Sequence, residues 1–401
     1  MSPTPTVIFG AFDRHNFGDL LIAQVVARML PGRDRLFAGL AARAPHGDSG
    51  PETVALPRIA AFARGRAVNV IHAGGELLTC NAWEAAVMLA PPQCVRALIA
   101  AEAEWLRGAR AWAQQHVGVA SLAPYVLSKA ALPGVRVKHL AFNAVGGVDL
   151  DARAAQLGAD VLAALQSADT ISVRERQTQA LLAQRGIEAR LIPDPAAMTA
   201  VLFGATIRRH AANFALREVF HAFPRGYAAV QFSADFGDDT TLDTLAVQLE
   251  RVARVHELGI ALFRAGAAPW HDDLGVYERL AARLHAARVR VFASLNVWDI
   301  CALIAASRVY CGSSLHGRIV AMAYALPRIN ISRPDHACGE SKHAAYVQTW
   351  EAAGLAGVVH VENLADSVAH TLMADRARLR ETASALARRY RMEFESAMGK
   401  P

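Results

Sequence analysis

Short apolar runs alternate along the chain with longer segments in which apolar residues recur every three or four positions. Runs such as Thr6–Phe12 and Tyr227–Phe232 have the length and composition of buried strands. In the segment after the second run, Leu242, Leu245 and Leu249 fall on one helical face. Strands separated by helices of this length predict parallel sheets built from βαβ units.

The complete pattern predicts two such sheets. The predicted strands are Thr6–Phe12, Val68–His72, His139–Phe142, Thr170–Arg174, Glu188–Ile192, Tyr227–Phe232, Ile260–Phe263, Val289–Ala293, Arg308–Cys311 and Arg328–Ile331. The main predicted helices are Asp19–Leu30, Asp151–Gln166, one ending at Gly186, Val276–Ala287, Val297–Ser307, Leu315–Ala325 and Asp375–Met398. The expected fold is α/β, with two Rossmann-like doubly wound domains facing a cleft.

The domain boundary is expected in the stretch 196–225. We assign residues 1–200 to an N-terminal α/β domain that contains the glycine-rich turns and 201–370 to a C-terminal α/β domain that contains the SSLHGR motif. Residues 371–401 form an arginine-rich helix that is expected to pack back on the first domain.

Composition excludes several classes of protein. Of 401 residues, 53% are hydrophobic, which is too apolar for a disordered chain, and apolar runs such as Ile319–Leu326 fall far short of the length of a membrane span. The net charge of +6 is scattered, so nucleic acid is not expected as a partner, whereas an anionic small substrate is compatible. Five cysteines without a CxxC pair predict neither a disulfide framework nor a zinc site.

The N-terminus has no basic segment ahead of an apolar one, so no signal peptide is expected, and the protein is interpreted as cytoplasmic. The sequence requires no metal and no cofactor. Association with the inner face of the membrane and homo-oligomerisation are left open.

Two candidate loops follow predicted strands in the first domain. In the first, Asn16, Gly18 and Asp19 offer a close backbone approach and a carboxylate; the alternative is a simple helix-capping turn. In the second, Gly74 and Gly75 precede Glu76, and glycines at a strand end followed by a helix can expose amides as an anion nest; the alternative is a tight turn.

A third candidate is Arg174, which ends an otherwise apolar strand. A permanently charged guanidinium at that place needs an anionic ligand or an acidic partner. The structural alternative is an ion pair with Asp194 or Glu175.

The fourth candidate combines Ser313, Ser314, His316 and Arg318 at a predicted helix start. Two hydroxyls, a helix N-terminus, an imidazole and a guanidinium can bind a phosphate or carboxylate and supply a proton. The alternative for His316 is a structural hydrogen-bond donor.

These candidates, in this order, resemble the polysaccharide pyruvyl transferase family. The matching motifs are NFGD at 16–19, AGGELL at 73–78, ISVRE at 171–175, PDP at 193–195 and SSLHGRIVAMAYALPRI at 313–329, followed by Ser341-Lys342, which is similar to a lysine-containing segment of the family. The resemblance implies a two-domain, glycosyltransferase-B-like fold. It also implies transfer of the enolpyruvyl group of phosphoenolpyruvate to two hydroxyls of a sugar, which forms a cyclic ketal and releases phosphate.

By this resemblance, Arg174 and His316 match positions implicated in binding and catalysis. The chain departs from the family at Ser314, where Arg-Leu-His-Gly is common, and at Ala73, where a third glycine is frequent. We expect Arg318 to replace the missing cation.

The expected roles follow from this reaction, with residues 1–200 on the acceptor side and residues 201–370 on the donor side. His316 acts as general acid, and Asp19 or Glu76 orients or deprotonates acceptor hydroxyls. The anionic groups of phosphoenolpyruvate are held by positive side chains and by hydroxyls at the helix N-terminus. These substrate-binding residues are Asn16, Gly18, Gly74, Gly75, Arg174, Ser313, Ser314, Arg318 and Lys342.

The acceptor is expected to be a sugar or a lipid-linked glycan that contacts the loops Leu36–Pro57 and Ala82–Pro133. Two alternative functions are left open. One is a glycosyltransferase of the same architecture that uses a nucleotide sugar, and the other is a catalytically lapsed relative that binds glycans or anions.

Overall fold

The computed structural model describes residues 4–32, 34–45, 47, 50–333, 335, 341–351, 355 and 357–398. The chain divides into two compact units. The first contains the described residues up to Pro195 except Gly47, together with those from Tyr390 onwards, and the second contains Gly47 and Ala196–Arg389. The main boundary therefore lies at Pro195–Ala196, and the C-terminal helix contributes residues to both units.

The first unit contains a seven-stranded sheet in the order β3-β2-β1-β4-β5-β6-β7, in which every pairing is parallel. Its strands are β1 Thr6–Phe9, β2 Arg35–Gly39, β3 Val54–Ala55, β4 Val68–Ala73, β5 Val137–Val145, β6 Thr170–Val173 and β7 Arg190–Leu191. Its helices are α1 Phe17–Arg28, α2 Ile59–Ala63, α3 Ala82–Leu89, α4 Pro92–Ala100, α5 Glu102–Val117, α6 Ala155–Gln166 and α7 Arg176–Gln184. The strand order reverses between β1 and β4, which makes the sheet doubly wound.

The second unit contains a six-stranded parallel sheet in the order β10-β9-β8-β11-β12-β13. Its strands are β8 Tyr227–Gln231, β9 Gly259–Phe263, β10 Val289–Phe292, β11 Val309–Gly312, β12 Arg328–Ser332 and β13 Val358–His360. The remaining helices are α8 Thr199–His210, α9 Phe214–Ala222, α10 Asp239–His256, α11 Leu274–Arg283, α12 Val297–Ala305, α13 Leu315–Ala323, α14 Lys342–Trp350, α15 Leu364–Leu372 and α16 Arg376–Met398. Here the order reverses between β8 and β11, so the expectation of two doubly wound α/β domains is confirmed.

Short 3₁₀ turns complete the two units. They lie at Leu56–Arg58, Lys129–Ala131, Leu150–Ala152, Pro195–Met198, Ala234–Phe236 and Val361–Asn363. The central strands β8 and β9 are buried along their whole length, which accounts for the continuous apolar runs by which the sequence predicted them. Among the residues that the structure describes, no helix is long and apolar enough to cross a membrane.

The two segments expected to be acceptor loops contain regular structure. Leu36–Pro57 includes most of β2 and all of β3, and Ala82–Pro133 includes α3, α4 and α5. These segments therefore contain strands and helices as well as loops, and their contact with an acceptor stays a prediction. The strands escaped notice because β3 has two residues and β2 begins at an exposed arginine, whereas α3 does carry a start signal, the capping box of Asn81 and Glu84.

Candidate functional site

The first two candidate loops bind one another at the switch point of the first sheet. Asn16 caps α1, because its Oδ1 accepts a hydrogen bond from the amide of Gly18 at 3.0 Å. Asp19 is 5% exposed, and its Oδ1 accepts from the amide of Gly75 at 2.9 Å. Asn16 and Gly18 thus form a helix-capping turn, which was the alternative to a binding site. Asp19 instead binds the neighbouring glycine turn.

The glycine turn after β4 is closed by backbone contacts. Besides donating to Asp19, Gly75 accepts from the amide of Gly146 at 2.7 Å. No helix begins at the glycines, since α3 starts only at Ala82. A Cβ on Gly74 would lie 2.9 Å from Leu77 Cδ2, so this residue allows tight packing of the turn. The expected anion nest was wrong, because the amide of Gly75 is already bound and a helix start is missing here.

Arg174 lies directly after β6 and is 1% exposed. Its Nη2 lies 2.7 Å from Glu76 Oε2, its Nη1 lies 3.2 Å from Asp194 Oδ2, and its Nε donates to Glu175. Glu76 also accepts from the amide of Val148 at 3.2 Å. The structure therefore gives Arg174 the structural ion pair and commits Glu76 to this cluster, while the binding of substrate by Arg174 stays a prediction.

The cluster of Arg174 with Glu76, Glu175 and Asp194, here named the Arg174 cluster, holds more negative than positive groups. Burial raises the pKa of Glu175 to about 7, although Arg174 beside it acts in the opposite direction. The Thr178 hydroxyl donates to Glu175 at 3.1 Å. The extra carboxylate is thus partly protonated near neutral pH, which reduces the repulsion within the cluster.

The start of α13, after β11, places several candidate groups together in the second unit. Ser314 caps the helix, and its Oγ accepts from the amide of Gly317 at 3.2 Å. Ser313 Oγ accepts from the amide of Ser233 at 3.0 Å. Both serines and His316, in the first turn, are half-buried. A helix N-terminus with adjacent hydroxyls and an imidazole can bind an anionic group and donate a proton to it.

The glycines of the motif are explained by Tyr310. Its hydroxyl donates to the carbonyl of Ser314 at 2.9 Å, beneath the first turn of α13. A Cβ on Gly312 would lie 2.4 Å from this hydroxyl oxygen, and a Cβ on Gly317 would lie 2.5 Å from it. Asn330 also donates to the carbonyl of Gly312, at 2.7 Å. Two glycines and two buried polar side chains thus hold the helix start in place.

Arg318 does not lie at this surface. It is fully buried, and its Nε and Nη2 donate to the two oxygens of Glu351 at 2.8 and 2.9 Å. Arg328 donates to the same carboxylate at 3.1 and 3.0 Å. Burial opposes ionisation of Glu351, but the two arginines hold its pKa at about 2. The expectation that Arg318 replaces the missing cation was wrong, because it lies four residues after Ser314 and faces the core.

Lys342 is the first residue of α14 and is half-buried. Its neighbour His343 has Nε2 2.8 Å from the carbonyl oxygen of Ser313, so the start of α14 lies beside the start of α13. Sequence reasoning did not select His343. The role of Lys342 in binding an anion stays a prediction.

A second buried network lies beside the same motif. Gln231, at the end of β8, donates from Nε2 to both oxygens of Asp272 at 3.0 Å, and its Oε1 lies 3.5 Å from Tyr310 Oη. Burial raises the pKa of Asp272 to about 7. Sequence reasoning missed these residues, although a glutamine ending the strand YAAVQ was a visible signal. Within the described ranges, no group of three His, Cys, Asp or Glu residues could hold a metal ion.

Solved structures with a similar backbone define the class of fold. The chain is similar to UDP-GlcNAc 2-epimerase from Methanocaldococcus jannaschii, with a TM-score of 0.56, 10% identity and coverage of 96% of this chain and 99% of that one. UDP-N-acetylglucosamine 2-epimerase from Rickettsia bellii has a TM-score of 0.55 and 11% identity, with coverage of 99% of this chain and 97% of that one. UDP-GlcNAc 2-epimerase from Neisseria meningitidis has a TM-score of 0.54 and 9% identity, with coverage of 100% of both chains. The chain thus has a glycosyltransferase-B-like fold.

A family model narrows this class. The model for polysaccharide pyruvyl transferase matches residues 157–336, which include the Arg174 segment and the whole start of α13. The resemblance to this family is confirmed. No curated protein sequence matches the chain.

Proposed function

We propose that the protein transfers a pyruvyl group from phosphoenolpyruvate to two hydroxyls of a sugar or polysaccharide unit and forms a ketal. The observation that carries this proposal is the family match over residues 157–336, since it includes the serines and the histidine at the start of α13. The glycosyltransferase-B-like fold supports it, because this is the fold that the family resemblance implies.

The proposed reaction balances without a redox partner. C3 of phosphoenolpyruvate gains a proton while one sugar hydroxyl attacks C2. The bond between C2 and the phosphate oxygen breaks, and the second hydroxyl then attacks C2 to close the ketal. Of the two hydroxyl protons, one is balanced by the proton on C3 and the other leaves with inorganic phosphate.

The start of α13 has the groups that this reaction needs. The first-turn amides point out of the helix and favour an anionic group, as does the helix dipole. Ser313 and Ser314 each use Oγ as an acceptor, and within the described residues neither hydroxyl proton has a partner. Both protons can therefore be donated to phosphate or carboxylate oxygens. Histidine is the most common general acid in enzymes, and we assign the protonation of C3 to His316.

In unit one, Asp19 and Glu76 already bind the glycine turn and Arg174. A role for either in orienting acceptor hydroxyls would require these contacts to open, so we assign them no step. That Asn16, Gly74, Arg174 and His316 line one cleft stays a prediction.

The test is a turnover assay with the purified chain, phosphoenolpyruvate and a panel of glycans, including lipid-linked ones. We expect phosphate release that depends on acceptor, and a product heavier by pyruvate less one water. His285→Ala is a matched control for His316→Ala, because His285 is exposed in the turn after α11. Release without a mass gain, or equal rates for both variants, would contradict the proposal.

The alternative is a glycosyltransferase that uses a nucleotide sugar. It draws support from the fold alone, since the three similar structures are all named for UDP-GlcNAc and one of them contains it. Glycosyl transfer from a nucleotide sugar, in an assay without phosphoenolpyruvate, would favour this alternative. Binding of glycans or phosphoenolpyruvate without turnover of either donor would favour the lapsed relative.

A further inference from the structure

Arg264 is a second arginine that follows an apolar strand directly. It comes after β9, whose residues Gly259–Phe263 are all buried, and its own side chain is half-buried. Its Nε is buried and has no hydrogen-bond partner among the described residues. In the part of the chain that the structure describes, its guanidinium forms no ion pair.

Two fully buried arginines, Arg174 after β6 and Arg318 in α13, are in a different state. Arg174 binds three carboxylates, and Arg318 binds both oxygens of Glu351. A buried N–H without an acceptor is unfavourable, and a guanidinium has five N–H donors that suit phosphate and carboxylate. Arg264 therefore has the donors that an anionic ligand needs.

The register of the sheet places Arg264 level with the start of α13. Leu262 pairs with Val230 on β8, and Gln231 pairs with Gly312 on β11. Arg264 lies two residues after Leu262, and Ser313 lies one residue after Gly312. Arg264 and Ser313 are therefore at the same level along the sheet. They are separated by one strand, which corresponds to roughly 10 Å between their Cα atoms. An extended arginine side chain and a bound anion can span this distance.

The base of Arg264 is held in place from both sides. Phe263 belongs to the strand, and the amide of Ala265 donates to Asp272 Oδ2 at 2.5 Å. The same carboxylate binds Gln231, which belongs to the neighbouring strand. Asp272 is thereby engaged with the backbone and with an amide, and it fixes the backbone from which Arg264 extends.

We propose that Arg264 binds the phosphate or carboxylate of the substrate held at the start of α13, and so supplies the cation for which this chain has Ser314. The identity of the substrate as phosphoenolpyruvate rests on the proposed function. The assignment of Arg264 to an anionic ligand rests on its unpaired, partly buried guanidinium and on the register.

The test compares Arg264→Gln and Arg264→Lys with Arg290→Gln. Arg290 is a suitable control because it is exposed on β10, the strand beside β9, and its Nη1 binds the carbonyl of Val289. Affinity for phosphoenolpyruvate is measured by calorimetry and KM by turnover, and thermal unfolding verifies that each variant is folded. We expect Arg264→Gln to weaken binding by roughly 10- to 100-fold, the loss of a charge-assisted hydrogen bond. The affinity of Arg264→Lys should lie between those of Arg264→Gln and the wild type, and the affinity of Arg290→Gln should equal that of the wild type.

Failure of this inference can be told from failure of the proposed function. If the wild type binds phosphoenolpyruvate and Arg264→Gln binds it equally well, the assignment of Arg264 is wrong. If the wild type does not bind phosphoenolpyruvate, the proposed function fails, and the same variants are titrated with inorganic phosphate and with UDP. Weaker binding of either anion by Arg264→Gln supports the assignment; equal binding, or no binding by the wild type, overturns it.

Discussion

The polar side chains at the strand ends of the two sheets differ in how many of their hydrogen bonds and ion pairs are made within the protein. In the first unit, Asp19 binds Gly75 and Arg174 binds three carboxylates, so the motif residues hold one another. In the second unit, as far as the described residues show, the two serine hydroxyls at the start of α13 keep a proton to donate, and Arg264 has no ion pair and a buried Nε without an acceptor. The difference teaches that polar residues at a strand end indicate a binding site only where the fold has not already used them.

The strongest test of this contrast is His316→Ala. If the second unit carries the proton transfer, turnover should fall by roughly 10²–10⁴ while phosphoenolpyruvate binding and thermal unfolding change little. His316→Gln keeps a donor but cannot transfer a proton near neutral pH, so it should be as slow as the alanine variant. Recovery of most of the activity in His316→Gln would show that the residue only orients the substrate.

A second test removes the positive charge from the first unit. Arg174→Gln removes the arginine that pairs with the buried carboxylates of Glu175 and Asp194 and with Glu76, which should lower the free energy of unfolding by about 3–5 kcal/mol. Arg185→Gln is the control, because Arg185 pairs with Asp151 at the surface with both side chains about half exposed, and its loss should cost about 0–1 kcal/mol.

Denaturant unfolding measures the free energy of unfolding of Arg174→Gln and Arg185→Gln. An Arg174→Gln variant as stable as Arg185→Gln, with weakened phosphoenolpyruvate binding, would reverse the contrast and return Arg174 to the substrate site.

The sequence predicted the sheets well but could not tell its arginines apart. Long apolar runs such as that of β8 identify central strands because both of their faces are buried. Arg174 and Arg264 give the same local signal, an arginine after an apolar strand. Their difference depends on Glu76, which is distant in sequence, and on Asp194. Such long-range pairing follows from the fold and is not encoded in local periodicity.

The Arg174 cluster also predicts a pH dependence. The pKa of Glu175 is raised from 4.5 to about 7 by burial, so the folded protein keeps this proton over a range in which the unfolded chain has lost it. The folded state then binds more protons, and stability should fall as pH rises from about 4.5 to about 7. The size is on the order of 3 kcal/mol, since each unit of pKa corresponds to about 1.4 kcal/mol.

Urea unfolding between pH 4.5 and 7.5 measures this slope. Glu175→Gln should flatten it, because the amide does not titrate. The remaining slope combines Asp13 and Asp272, whose pKa values burial also raises, with His72, whose pKa burial lowers and which therefore acts in the opposite direction. An unchanged slope in Glu175→Gln would show that the excess charge of the Arg174 cluster is not what makes the two units different.

The smallest expected effect concerns the glycines on which the second unit depends. Gly312→Ala places a methyl group 2.4 Å from Tyr310 Oη and should destabilise the protein by about 1–3 kcal/mol. The control is Gly108→Ala, which meets nothing within 4 Å on α5 and should be stabilising by about 0.5–1 kcal/mol. Tyr310→Phe in the Gly312→Ala background should recover part of the loss, because it removes the atom that the methyl group meets. If Gly312→Ala is neutral in thermal unfolding, the glycine is instead required by the ligand, and its variant should then lose phosphoenolpyruvate affinity while keeping its stability.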